Sequence, residues 1–232
     1  MSDGRLDYSI YNREERDICA HLFRLLLEDQ PKWRPLCRFL GVDAVTNPRV
    51  YCEVALIRDA YFARKSDSGH FMADLVDLVA KQLEVADHKA FNELPDVIKD
   101  PQQTHPKQIA QKFLSKLGKL SESDNAVYGA VQAMFNAKPD LAICTGTDLV
   151  VFEAKYTLGF DEKQMERTRE IGEVWAKLLF QDLGFESVPR VSVRKLGLNR
   201  FNPDISWGQI LEIAREWWGE SDFSTRVFSK VQ

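Results

Sequence analysis

The spacing of apolar residues changes along the chain from a helical period to short runs typical of strands. Apolar side chains recur every three or four positions between Arg13 and Glu28, which predicts a helix with one buried side. Similar patterns predict helices over residues 49–64, 69–83, 107–120, 125–136, 161–182 and 205–218, and a short one over 36–40 that Gly41 ends. Apolar runs predict strands over residues 141–144, 149–152 and 188–196. This order predicts an α/β fold with a central mixed β-sheet flanked by helices.

The first two predicted strands are joined by four residues, Thr145 to Asp148. A glycine followed by another residue is a preferred loop of a two-residue type II′ hairpin, and Gly146-Thr147 fits it. The two flanking residues then pair with each other. Counting back along both strands places Asp140 opposite Glu153.

Side chains alternate along a strand, so this register also assigns the faces of the hairpin. Asp140, Glu153 and Lys155 share one face. The apolar residues Leu141, Ile143, Val150 and Phe152 line the other face, against the core. Two carboxylates that face each other repel. A divalent metal with oxygen ligands would compensate them, with Lys155 as a further positive charge.

Pro139-Asp140 followed by Glu153-Ala154-Lys155 resembles the PD-(D/E)xK nuclease superfamily. The resemblance implies a restriction-endonuclease-like core with a helical insertion. It implies that Mg²⁺ (or Mn²⁺) is held by Asp140, Glu153 and the Ala154 carbonyl. Lys155 would then orient or activate the attacking water.

Two further residues follow from the resemblance. The first core helix of such proteins often supplies another metal-binding glutamate, for which Glu15 is the first candidate and Glu14 the second. Both acids could instead complement the helix dipole, and Glu53 is an alternative acid. The helix after the acid-x-Lys strand often carries a glutamine over the site, which fits Gln164.

Other Pro-Asp and acid-x-Lys sequences lack this context. Pro95-Asp96 and Pro203-Asp204 have no acid-x-Lys at hairpin distance downstream, and Asp161-Glu162-Lys163 lies where a helix begins. The alternative for the 139–155 segment is a structural hairpin with an exposed acid and a Glu–Lys pair.

Two groups of basic residues are candidate phosphate contacts. Lys112, Lys116 and Lys119 form a stripe on one predicted helix, and Arg190, Arg194, Lys195 and Arg200 lie in or after the last predicted strand. A solvated helix face and a charged strand edge are the alternative interpretations.

Composition limits the class of protein. The chain has 232 residues, is 44% hydrophobic and 28% charged, and carries a net charge of −4, which indicates a globular protein without an overall basic surface. Four cysteines in apolar surroundings, a polar N-terminus and no apolar run of membrane-spanning length lead us to expect a cytoplasmic protein. We expect one domain, with the nuclease-like core over 13–29 and 125–218 and a helical insertion over 30–124.

The function implied is a magnesium-dependent nuclease, with DNA favoured as substrate. No sequence-reading module is recognisable, so we expect a partner protein or a homo-oligomer to supply regulation or specificity. An endonuclease effector subunit of a prokaryotic defence or restriction system fits that expectation. The alternatives are a non-catalytic scaffold on the same fold and a nuclease that acts on RNA or on free ends.

Overall fold

The computed structural model describes residues 15–28, 36–42, 48–64, 68–89, 93, 121–145, 147–156, 159–180 and 185–229. The chain divides into two compact units. The first comprises residues 1–53, 139–169 and 189–232, and the second comprises residues 54–138 and 170–188. The prediction of one domain with an insertion at 30–124 stays a prediction.

A five-stranded mixed sheet forms the centre of the first unit. The strands are β1 (Arg49–Tyr51), β2 (Leu141–Thr145), β3 (Asp148–Lys155), β4 (Arg190–Gly197) and β5 (Ile205–Ser206). They lie side by side in chain order. The β1–β2 and β2–β3 pairs are antiparallel, and the β3–β4 and β4–β5 pairs are parallel. This confirms the predicted α/β class with a mixed sheet flanked by helices.

The predicted hairpin register is confirmed. Thr145 pairs with Asp148 and Leu141 pairs with Phe152. The predicted core face is also confirmed, because its four apolar residues are at most 2% exposed and belong to one cluster with apolar residues of the first helix. Burial of this face holds the register, since a slip of one residue would turn every side chain to the opposite face.

The helices α1 (Glu15–Glu28), α6 (Trp207–Trp218) and α7 (Phe223–Phe228) of the first unit contribute apolar residues to the core cluster. The first part of α5 (Glu162–Leu179) belongs to the same unit. A helical turn over residues 36–39 ends as predicted at Gly41, which has a φ of +74°. Helix α6 begins with a capping box between Ser206 and Gln209. Its buried Trp207 donates from Nε1 to the Lys155 carbonyl at 3.3 Å, which ties α6 to the end of β3.

The second unit is helical in its described parts. It contains α2 (Leu56–Ala63), α3 (Ser68–Gln82), α4 (Glu122–Phe135) and the rest of α5. The edge of the Tyr61 ring meets the Phe135 ring between α2 and α4. Ser121 caps α4, with its side chain accepting from the Asp124 N–H. Sequence analysis started this helix at Asn125, three residues late, because Asn125 follows other residues that favour caps.

The prediction of a helix over 49–64 is wrong at its start. Residues 49–51 form the edge strand β1, and the helix begins only at Leu56. An apolar run of this length does not distinguish a helix from a strand, and the long-range pairing of Val50 with Ile143 decides in favour of the strand. Glu53, with a φ of +56°, lies in the turn that separates the two elements.

The end of the chain also differs from the prediction. Ile205 and Ser206 form β5 instead of the first turn of a helix, and α7 was not predicted. Two residues of strand give no detectable period, so only their pairing with β4 defines them. Among the described helices, none combines the length and the apolar composition that spanning a membrane needs.

Gly197 is a position where we expect a side chain to be costly. A Cβ there would lie 3.0 Å from the Lys155 carbonyl oxygen and 3.0 Å from Cζ of Phe160. We expect Gly197→Ala to lower the free energy of unfolding by about 1–3 kcal/mol, measured by urea unfolding, because neither neighbour can retreat freely.

Gly208→Ala is the control for this prediction. Gly208 lies in α6, and its nearest neighbour would be 3.7 Å from an added Cβ, an ordinary contact. We expect it to be neutral or stabilising by up to about 1 kcal/mol. Equal stability of the two variants would contradict the steric argument.

Candidate functional site

Asp140 lies in the bend before β2 and interacts with the neighbouring strand. Its Oδ2 accepts a hydrogen bond from the backbone N–H of Ala154 at 2.7 Å. Continuing the β2–β3 register places Asp140 opposite Glu153, as predicted. The sheet therefore brings both acids together at one end of the hairpin.

Pro139 has a specific effect at this position. The same register places it opposite Ala154, and proline has no N–H to donate to the Ala154 carbonyl. The Ala154 N–H is taken by the Asp140 side chain instead. The Pro-Asp pair thus replaces the regular ladder at this end of β3 with a side-chain contact.

Glu153 is the most enclosed acid of the site, with 9% of its surface exposed. Its Oε1 accepts from Nζ of Lys155 at 2.6 Å and from Nε2 of Gln164, and its Oε2 accepts from Oγ1 of Thr168 at 3.4 Å. Gln164 and Thr168 are four residues apart in α5 and therefore point to the same side of that helix. Three donors thus satisfy a carboxylate that burial would otherwise disfavour.

Asp140 is less well compensated. Burial raises the pKa of its carboxyl group from 3.8 to about 6, against the lowering effect of the Ala154 N–H. The negative charges of Glu153 and Glu53 raise this pKa further, and the positive charge of Lys155 lowers it. The Asp140 carboxylate therefore has too little positive charge around it, which a bound cation would supply.

Glu53 is the acid that the structure adds to the site. Its backbone N–H donates to the Pro139 carbonyl at 3.0 Å, next to Asp140. Sequence analysis named Glu53 as an alternative acid but placed it inside a helix. Its position just after an edge strand could not be read from the local pattern.

Several predicted residues lie outside the described part of the chain. These are the side chains of Glu14 and Glu15 and the whole stripe of Lys112, Lys116 and Lys119. Within the described residues, no group of three acidic, histidine or cysteine side chains is close enough to form a ready-made metal site.

The predicted basic residues in and after β4 do not share one face, and their role as phosphate contacts stays a prediction. Arg190 pairs with Asp148 at 2.9 Å at the start of β4, and Arg200 packs over the Phe201 ring at 4.8 Å. Arg194 pairs in register with Phe152 on the core face, and Lys195 pairs with Glu153 on the face of the candidate site.

The end of β4 explains why the sequence pattern does not give these faces. Leu196 is one position out of phase with Val191 and Val193. Both Leu196 and Gly197 are buried, so apolar character does not mark a single face there. Pairing with β3 on one side and β5 on the other determines the true alternation.

Pro203-Asp204 uses the same contact as Pro139-Asp140. Oδ2 of Asp204 accepts from the backbone N–H of Lys195 at 2.7 Å, at the start of β5. A side chain that caps the neighbouring strand is therefore a structural device that the chain uses twice. Asp140 differs because Glu153 and Lys155 lie beside it.

Thr168 was missed by sequence reasoning. The only signal was its spacing of four residues from Gln164 on a predicted helix, which becomes informative once Glu153 is known to lie beneath both. Comparison with models of protein families, with curated proteins and with solved structures finds no match for this chain.

The raised pKa of Asp140 predicts a pH dependence of stability in EDTA. The folded state binds the Asp140 proton more tightly than the unfolded state does. Protonation of Asp140 therefore stabilises the fold below about pH 4, and this stabilisation is lost as the pH rises through about 6. We expect Asp140→Asn to remove this loss. Between pH 4 and pH 7, its free energy of unfolding should therefore rise by about 1–3 kcal/mol relative to that of the parent.

Urea unfolding at several pH values measures this difference, and carboxyl NMR of the folded protein gives the pKa directly. Asp204→Asn, which keeps a side-chain oxygen that accepts from the Lys195 N–H, is the control. A parallel pH dependence of Asp140→Asn and the parent would contradict the assignment.

Proposed function

We propose that the protein is a metal-dependent phosphodiesterase, with DNA as the favoured substrate and endonucleolytic cleavage as the favoured mode. The observation that carries the proposal is the set formed by Asp140, Glu153 and Lys155 at one end of the hairpin. Nζ of Lys155 lies 2.6 Å from Oε1 of Glu153, and continuing the β2–β3 register places Asp140, in the bend before β2, opposite Glu153. Two facing acids cost stability, and neither the hairpin nor its core face requires them.

The donor set fits a hard divalent cation such as Mg²⁺ or Mn²⁺. Asp140, Glu153 and the Ala154 carbonyl would hold it, and Glu15 is a further candidate ligand. Oδ1 of Asp140 is not used by the bond to Ala154, and Pro139 has no N–H for the Ala154 carbonyl. When bound, the metal lowers the pKa of a water molecule and stabilises negative charge on the phosphate.

The protein residues divide the remaining work. Lys155 orients the attacking water and stabilises charge that develops near Glu153. Gln164 and Thr168 fix the Glu153 carboxylate from α5. Because Lys155 and Gln164 already occupy Oε1, a cation must compete with them for this atom.

The biological setting belongs to the same proposal. An endonuclease without a sequence-reading module needs control by a partner protein or by self-assembly, as in an effector subunit of a prokaryotic defence or restriction system. Action on RNA or on free ends uses the same chemistry, and substrate tests distinguish these cases.

A non-catalytic scaffold is the second candidate function. It is favoured by one observation: Asp204 makes the same kind of backbone contact as Asp140, with the N–H of Lys195 in β4. Under that hypothesis Asp140 only caps β3, and Glu153 and Lys155 are a buried ion pair.

Cleavage of supercoiled plasmid in Mg²⁺ or Mn²⁺ separates the two functions. We expect metal-dependent cleavage by the parent and losses of about 100-fold or more in Asp140→Asn, Glu153→Gln and Lys155→Met, because each removes a group that acts at the reacting centre.

Asp204→Asn is the matched control, because it alters the same kind of backbone contact, to the Lys195 N–H, without removing an acid of the proposed site. We expect it to cleave like the parent. Equal activity in Asp140→Asn and Asp204→Asn would rule out the proposed site, provided that circular dichroism shows both variants to be folded.

A further inference from the structure

Lys195 differs from the other basic residues of β4 in its relation to the candidate site. It pairs with Glu153 in the parallel β3–β4 ladder, so the two side chains leave the sheet on the same face. Arg194 leaves the opposite face. Arg190 lies five residues away, which is about 16 Å along an extended strand. Lys195 is thus the basic residue of β4 that lies beside Glu153 on the site face.

Two contacts place the Lys195 ammonium group. It lies 5.8 Å from the centre of the Phe160 ring, and Nζ lies 2.9 Å from Oε1 of Glu162 in the first turn of α5. Phe160 occupies the space that the missing side chain of Gly197 leaves open. The Lys195 side chain therefore lies beside an aromatic ring, and only 25% of its surface is exposed.

The contact with Glu162 is easily exchanged. The Glu162 side chain is 84% exposed, and water screens an ion pair with so open a partner. A phosphate oxygen can accept from Nζ with the same charge-assisted chemistry as a carboxylate oxygen. Exchange of Glu162 for phosphate needs only a rotation of the Glu162 side chain, because β4 and Phe160 hold the lysine.

We propose that Lys195 binds a backbone phosphate of the nucleic-acid substrate beside Glu153 and Lys155. Glu162 forms an ion pair with the Lys195 ammonium group until the phosphate replaces it. This inference rests on the proposed nuclease function. It separates two lysines: Lys155 acts at the acids, and Lys195 binds substrate. The competing carboxylate makes Glu162 a residue that weakens substrate binding.

The test is binding of a short fluorescently labelled DNA duplex in EDTA, followed by anisotropy over a range of salt concentrations. We expect Lys195→Met to weaken binding about tenfold and to lower the salt slope by about one, as for loss of one phosphate contact. Lys195→Arg should restore most of the affinity.

Charge-matched controls separate this contact from a general change in net charge. Arg190→Gln removes one positive charge at the far end of β4, and we expect it to bind like the parent. Glu162→Gln should tighten binding several-fold, whereas Glu166→Gln, which removes an equal charge one turn further along α5, should not.

Steady-state cleavage gives a second readout. We expect Lys195→Met to raise KM while kcat stays close to that of the parent, because Lys195 contributes to binding and not to the chemical step. Equal affinities of Lys195→Met and Arg190→Gln would overturn the inference while leaving the nuclease proposal intact. A parent protein that neither binds nor cleaves DNA would overturn both.

Discussion

The antiparallel register of β2 and β3 determines which side chains meet at the candidate site. Packing of the apolar face of the hairpin in the core cluster fixes this register, since a shift by one residue would turn Leu141, Ile143 and their partners away from that cluster. The opposite face then carries Glu153 and Lys155, and Asp140 is held across from them by its bond to the Ala154 N–H. Packing on one face of the sheet thus determines which side chains meet at the candidate site on the other face.

The charge balance of the site supports the proposed binding of a cation. Glu153 is satisfied by Lys155, Gln164 and Thr168. Burial raises the pKa of Asp140 to about 6 despite its one backbone donor, and the charges of Glu153 and Glu53 add to the rise. Such an imbalance costs stability and is typical of sites that are built for a ligand or a reaction. Asp204 makes the same kind of contact with the Lys195 N–H of β4.

The sequence allowed the hairpin, its register and the acid-lysine set to be predicted, because the Gly146-Thr147 loop and two short apolar runs are strong local signals. It did not allow β1 to be predicted, since three residues of an edge strand have no distinctive period and depend on pairing with β2. Because β1 was not predicted, the position of Glu53 just after it could not be predicted either. The face of Lys195 could not be predicted for a related reason: the end of β4 is buried on both faces, so only its pairing with β3 shows which face Lys195 takes.

The central claim is that Asp140 and Glu153 hold a divalent cation in competition with Lys155. Calorimetric titration of Mn²⁺ into the parent, Asp140→Asn, Asp204→Asn and Lys155→Met tests it most directly. The account predicts binding that is lost in Asp140→Asn, unchanged in Asp204→Asn and about tenfold tighter in Lys155→Met, because removal of the ammonium group frees Oε1 of Glu153. Binding that is absent from the parent, or equal in Asp140→Asn and Asp204→Asn, would contradict it.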